Sequence, residues 1–274
     1  MLKSIESVRA YWNARPCNVR HSPAPVGSPD WIVETEQRKR KVEPHIAEFA
    51  KFDQWFSSRV LEIGCGIGID TVAFARTGAG VTALDLSEES LKLARKRAEL
   101  AGVEVDFRQA DAEELWNYLW PRGPYQYDLV YAFGSIHHSP SPEAIVKQVY
   151  LQLRRGGTFK LMVYSKYSWK SLWVLLKYGH GKFWKFSELI ARYSEAQTGC
   201  PITHTYSKRE LRAMLERNGF IVRKTYKDHI FPYDIEAYKQ YRYERTWYWK
   251  LVPPPMFRWL EKHFGWHLMV EATV

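Results

Sequence analysis

The sequence predicts an α/β fold, a mainly parallel sheet between layers of helices. Three observations carry that prediction. From residue 59 short apolar runs alternate with helical patterns. A glycine-rich turn, "GCGIG" at residues 64–68, joins the first such run to the first such helix, and such turns let something approach the main chain closely. The run "YDLVYAFG" is apolar on both faces, as a central parallel strand should be.

The elements follow in order. The N-terminal residues read as a short helix, then a loop, "RPCNVRHSPAPVGSPD", rich in Pro, Ser and Asn. "RKRK", Arg38 to Lys41, opens a pattern in which Val42, Ile46, Phe49 and Ala50 recur at helical spacing. It reads as a solvated helix start. "RVLEI" is strand-like and "IDTVAFARTG" helical, ending at Gly78. "VTALDL" is a strand, and Ser87 caps "EESLKLARKRAELAG", with acids in its first turn. "VEVDFRQA" and "YDLVYAFG" are strands, "SPEAIVKQVYLQLRRGG" a helix stopped by its Gly pair, and "TFKLMVYS" a strand. This rhythm calls for a parallel sheet with helices on both faces. After Tyr164 it breaks. Two aromatic, basic insertions flank a capped helix, "SKRELRAMLERNGF", and a strand, "IVRKTYK"; the last ten residues read as a final strand.

Composition narrows the function classes. Of the 274 residues, those at 165–274 carry 19 Lys and Arg against 10 Asp and Glu, whereas residues 1–164 carry 21 against 20. The later part is therefore a basic, aromatic surface or lid suited to acidic partners. No stretch approaches the ~18 apolar residues of a membrane span, and the N-terminus lacks an apolar signal core. Cys17, Cys65 and Cys200 form neither a metal spacing nor a disulfide framework, which fits a reduced, cytoplasmic setting.

The glycine loop sits among acids. Glu62 precedes it, Asp85 ends the next strand 17 residues after Gly68, and Asp111 follows the third strand. A nucleotide-type ligand lying across strand ends would meet these groups in order. Dinucleotide binding expects G-x-G-x-x-G; here G-x-G-x-G leads into Asp70, an acid where a pyrophosphate would be repelled.

Taken together, "VLEIGCGIGID", "LDLS", "RQADAEEL" and "YDLVYAFGSIHHSPSP" resemble the successive motifs of class I S-adenosylmethionine-dependent methyltransferases, in the small-molecule branch that includes ubiquinone and menaquinone-type enzymes. The resemblance covers roughly residues 42–164 and, more loosely, 205–228 and 265–274. It implies a Rossmann-like three-layer sandwich with a mainly parallel seven-stranded sheet and helical lid insertions. The segments expected are an N-terminal lid at 1–41, a cofactor-binding core at 42–164, an acceptor lid at 165–204, a core continuation at 205–230, a second helical insertion at 231–264 and the final strand at 265–274. The cofactor implied is S-adenosylmethionine, with S-adenosylhomocysteine as product. Glu62, Gly64, Gly66 and Gly68 would shape the site for its methionine part, Asp85 would bind the ribose diol with Leu86 beside the adenine, Asp111 and Ala112 would meet the adenine, and Phe133 would line the pocket near the sulfonium.

Methyl transfer asks mainly for alignment and dryness, and for a base only where the acceptor must lose a proton. His137 and His138, at the end of the fourth strand, are the candidate bases, His138 first. A His–His metal site is not expected, because adjacent residues rarely chelate one ion. Tyr11 on the N-terminal helix, Tyr164 on the rim, and Arg242 or Arg245 in the second insertion are the candidates to hold a small, aromatic or acidic acceptor on oxygen, with nitrogen or carbon as alternatives. Trp169, Lys170, Trp173 and Lys177 suggest peripheral contact with a membrane surface. Two further readings stay open, a nucleic-acid methyltransferase suggested by the basic half and a cyclase-like enzyme that binds the cofactor without transferring methyl. The first lacks an RNA-binding module signature. The sequence leaves oligomeric state open.

Overall fold

The computed structural model describes residues 4–119, 127–193 and 200–274. Residues 194–199 of the first insertion, and 1–3 of the N-terminal segment, lie outside that range. Among the described residues the strands are β1 (Arg59–Ile63), β2 (Gly80–Asp85), β3 (Asp106–Gln109), β4 (Tyr127–Phe133), β5 (Leu153–Ser165), β6 (Thr205–Tyr206), β7 (Ile221–Asp228) and β8 (His267–Thr273). They form one sheet in the order β3-β2-β1-β4-β5-β8-β7, with β6 pairing alongside β5. β1 to β5 run parallel, and β8 runs antiparallel to both β5 and β7. The eighth strand, absent from the seven expected, is the two-residue β6, which pairs with Tyr164 and Ser165 at the end of β5.

Alternation within each strand feeds two apolar layers. Leu61, Val130, Phe159, Leu161 and Val270 face the helices Pro142–Gln152 and Lys208–Arg217. Val60, Ala83, Leu129, Tyr131 and Met162 face Phe49, Phe74, Val174 and Ile190 on the other side. Burying a side chain the size of Phe159 contributes about 2–3 kcal/mol. The chain departs from its sequence pattern at one strand start. The helix Pro142–Gln152 stops before the Gly pair, and Gly156, at φ +73°, lies inside the irregular opening of β5. An added Cβ at Gly157 would meet the Tyr127 carbonyl oxygen at 3.1 Å, so strand packing, not helix termination, asks for glycine there.

"RKRK" is not a solvated helix start. It is the last turn of the helix Pro29–Val42, which Ser28 caps by accepting from the Trp31 N–H at 3.2 Å. Lys39 and Arg40 pair with Asp70 at 3.2 and 2.8 Å. Asp70 is buried at the start of the helix Ile69–Arg76, where an unpaired carboxylate would be costly. Burial alone raises its pKa, but Lys39 and Arg40 bring the net value below the ordinary one. Asp70 thus turns into the core and does not repel a ligand at the loop. Arg97, fully buried, donates to the Ile67 and Ile32 carbonyls and to Thr35 Oγ1 at 2.9, 2.8 and 2.7 Å, which ties the glycine loop to the same helix.

The insertions pack over the carboxyl ends of the strands. The proposed anchor helix, Trp169–Tyr178, turns much of its aromatic and basic face inward. Trp173 packs on the core, Lys177 sits over its ring at 4.7 Å, and Lys170 lies over Trp266 at 5.0 Å. Trp169 stays partly exposed, and Tyr167, Leu172, Leu176, Phe183 and Trp184 are the more exposed apolar positions of this insertion. No helix among the described residues is long and apolar enough to cross a membrane.

Candidate active site

The chain runs outward from β1 to β3 and returns to β4, so a crevice opens where the order reverses, at the carboxyl ends of β1 and β4. A cavity of about 410 Å³ occupies it. Ile5, Val8 and Trp12 of the helix Ile5–Ala14 roof one side, and Phe231 and Tyr238 of the second insertion close another.

The glycine loop meets this cavity unevenly. Gly64, Gly66 and Gly68 all have positive φ, +74°, +54° and +78°. A Cβ on Gly64 would stand 2.2 Å from the Ser135 Cβ, and one on Gly68 2.9 Å from the Ala94 Cβ. Gly66 has nothing within 4 Å of that position. Gly64 and Gly66 line the cavity; Gly68 does not, and it lets the helix Glu88–Ala101 approach. Glu62 does not line it either. It is buried and accepts from the Thr71 hydroxyl at 2.5 Å, with its pKa raised to about 8 by burial and then by Asp70.

Asp85, Leu86, Asp111, Ala112 and Phe133 all line the cavity. The Asp85 carboxylate accepts from the Gly66 and Ser87 N–H groups, both at 2.8 Å. Its pKa is raised to about 6, because burial outweighs those bonds. Asp111 caps the turn Ala112–Glu114 by accepting from the Glu113 N–H at 2.9 Å, and burial raises its pKa too.

The two adjacent histidines part company. His138 lines the cavity, and its ring lies edge-on to Trp12 at 5.3 Å. Its Nδ1 is 2.9 Å from the Ile202 carbonyl. A carbonyl only accepts, so Nδ1 carries the hydrogen and Nε2 is the basic nitrogen. His137 is fully buried beside Tyr164, ring centroids 4.0 Å apart, and is absent from the cavity lining. Neither of its ring nitrogens has a hydrogen-bond partner among the described residues. Burial, then His138, takes its pKa well below the ordinary value.

The acceptor candidates divide as well. Tyr164 lines the cavity, stacked on Trp266 at 4.3 Å. On the N-terminal helix it is Trp12 that enters; Tyr11 stands edge-on to it at 5.0 Å, outside the lining. Arg242 pairs with Glu244 at the surface, and Arg245 lies over Phe257 at 4.8 Å. Neither arginine reaches the cavity. The second insertion enters through Tyr238 instead, held where Arg38 stacks 3.8 Å over its ring and donates to its carbonyl at 2.6 Å. The cations on the lining are Lys39 and Lys170.

Sequence reasoning missed one cluster outright. Glu43, His229 and His267 line the cavity, and His45 backs them. His45 Nε2 is 2.8 Å from His267 Nδ1, and His267 Nε2 is 3.7 Å from Glu43 Oε1. The His229 ring stacks on His267 at 4.5 Å. Burial is the first cause that pushes His45 and His229 down to about 3, and His267 well below its ordinary value. The signal in the sequence is Glu43 and His45 two apart; their partners His229 and His267 come roughly two hundred residues later.

Residues 60–157 match the family model described as methyltransferase domain. This core is similar to known methyltransferase domains. A ubiquinone biosynthesis O-methyltransferase of Aeromonas salmonicida is 38% identical over 102 residues, 37% of this chain and 41% of that protein. Its counterpart in Bordetella bronchiseptica is 40% identical over 99 residues, 36% and 39% of the two chains. The chain thus aligns with about two fifths of the length of these relatives. Among solved structures, magnesium protoporphyrin IX methyltransferase of Synechocystis with bound S-adenosylhomocysteine superposes over 97% of both chains, with a TM-score of 0.58 and 18% identity. The [4+2]-cyclase SpnF superposes over 98% of this chain and 92% of its own, with a TM-score of 0.55 and 18% identity. Likeness at that identity speaks for the fold. The domain match covers β1 to β4 and the start of β5, so it carries the glycine loop, Asp85, Asp111 and the histidine pair and stops short of both insertions.

Proposed function

We propose that the chain is an S-adenosylmethionine-dependent methyltransferase acting on a small aromatic or acidic metabolite, with oxygen as the favoured acceptor atom. The observation that carries this reading is one cavity lined at one end by Gly66 and Asp85 and at the other by His138 and Tyr164. The cofactor fits the residues present. Gly66 leaves space where any side chain would intrude, and the Asp85 carboxylate, already fixed by two N–H groups, keeps lone pairs for a ribose diol. Gly64 and Gly66 face the methionine part, Leu86, Asp111 and Ala112 the adenine, and Phe133 the sulfonium side. When bound, the cofactor supplies an already activated methyl group. The protein aligns the acceptor with it, excludes water with Trp12, Phe231 and Trp266, and takes the acceptor's proton at His138 Nε2.

Calorimetry with S-adenosylhomocysteine tests the cofactor end. Asp85→Ala removes a charged acceptor of two hydrogen bonds, worth about 3 kcal/mol or roughly 100-fold in affinity; unchanged affinity refutes the assignment. Incubation with hydroxylated aromatic acids and S-adenosylmethionine tests the chemistry. Methyl transfer gives an acceptor heavier by one methylene and releases S-adenosylhomocysteine, whereas a product without that release supports the cyclase-like reading. We read Leu176, Phe183 and Trp184, exposed beside Lys182 and Lys185, as a contact for a membrane surface that delivers lipophilic acceptors. Failure to co-sediment with anionic vesicles at low salt ends that reading.

A further inference from the structure

The cluster around His229 has the make-up of a cation site. Ligand atoms of Glu43, His45 and His229 lie within 4.8 Å of one another. Bonds of about 2.1 Å in a tetrahedral arrangement set ligand atoms roughly 3.4 Å apart. Side-chain rotations of about an ångström would therefore gather the three around one ion. Two features distinguish this cluster from ordinary core packing. His229 is held at φ +71°, an uncommon backbone for a residue other than glycine, and this sets its ring against His267. His45 is hydrogen-bonded through Nε2 to His267, the kind of outer partner that fixes a ligating imidazole. Plain packing of apolar side chains would need neither a carboxylate nor three imidazoles in contact.

We propose that Glu43, His45 and His229 bind one divalent transition-metal ion of the zinc type, oriented by His267, with its open positions toward the acceptor end of the cavity. Two imidazoles and one carboxylate suit zinc, iron or nickel and not magnesium, which prefers oxygen ligands and retains water. Glu43 and His229 share the cavity lining with Tyr164 and Trp266, so an ion there would meet an acceptor oxygen and acidify it. That last role rests on the methyltransferase reading; the binding of the metal does not.

The test uses the full chain, depleted of metal by dialysis and titrated with Zn2+ and with Co2+ as a spectroscopic probe. The expected result is one equivalent of Zn2+ retained per chain through gel filtration, by elemental mass spectrometry, and visible absorption from bound Co2+. The double substitution Glu43→Gln, His229→Asn should weaken Zn2+ binding at least 100-fold. Its affinity for S-adenosylhomocysteine reports whether it has folded, and Glu43→Gln alone, at the partly exposed rim, replaces it if it has not. Zn2+ retained no better than by a metal-free control protein, equal retention by the variants, or preference for Mg2+ over Zn2+ overturns the inference. Methyl transfer by a chain that binds no metal overturns the inference and spares the enzyme. Metal bound by a chain without affinity for S-adenosylhomocysteine does the reverse.

Discussion

The two ends of the cavity are built on different principles. At the glycine-loop end, main-chain groups within the β1 to β4 core satisfy each polar side chain. Asp85 accepts from Gly66 and Ser87, Asp111 from Glu113, and Ser135 donates to the Ile63 carbonyl at 2.7 Å. At the acceptor end the same tasks fall to side chains far apart in sequence: His138 on Ile202, His45 on His267, Tyr238 under Arg38. The first end is complete within the β1 to β4 core. The second exists only once β7, β8 and both insertions have docked. Substitutions at the loop should therefore act through backbone geometry, and those at the far end through chemistry.

Gly64 and Gly66 test the first half of that contrast, with the largest effect expected. Gly64→Ala forces a Cβ to 2.2 Å from that of Ser135 at left-handed φ. Overpacking and strain together should cost roughly 3 kcal/mol, read as a lower urea midpoint. Gly66→Ala carries the strain alone, about 1 kcal/mol, but its methyl group enters the cavity. Urea midpoints ranked Gly64→Ala below Gly66→Ala, with cofactor affinity falling in the latter, sustain the contrast. Equal loss of stability in both erases it.

The histidine pair tests the second half. His138→Gln should lower turnover about 100-fold, the usual worth of a positioned base, and leave S-adenosylhomocysteine affinity unchanged, because the residue lies away from Asp85's end. His137→Leu removes a buried imidazole whose nitrogens are unsatisfied among the described residues, so stability should rise by about 1 kcal/mol with activity retained. Activity lost in His137→Leu and kept in His138→Gln would reverse the assignment.

The same contrast explains what was legible in the sequence. β1, its loop, β2 and β4 follow from period, glycine and caps, all local signals. The loop's acids were visible as residues but not as roles. That Glu62 and Asp70 turn inward depends on Thr71, Lys39 and Arg40, and the pairing of "RKRK" with Asp70 bridges 30 residues. Arg242 and Arg245 stand out by charge alone, and charge does not say which way a short insertion folds; one stays hydrated at the surface, and the other lies over Phe257. Nothing local links Glu43 and His45 to His229 and His267.

Glu62 gives the smallest effect and the sharpest check that the loop's acids serve different ends. Its pKa rises from 4.5 to about 8 on folding, through burial and then the nearby Asp70. Between those values the folded chain holds a proton that the unfolded chain has released. The stability this confers is complete below about pH 4.5 and is lost as pH rises through 8, at no more than about 1.4 kcal/mol per pH unit. Glu62→Gln keeps an acceptor for the Thr71 hydroxyl but cannot ionise. Its urea midpoint should therefore fall less than that of the natural chain between pH 5 and pH 8, with cofactor affinity little changed because Glu62 is absent from the cavity lining. Parallel profiles for the two chains would mean that Glu62 is already ionised at neutral pH. Its carboxylate would then belong with Asp85 as a charged ligand group, and the separation of structural from binding acids at this loop would not hold.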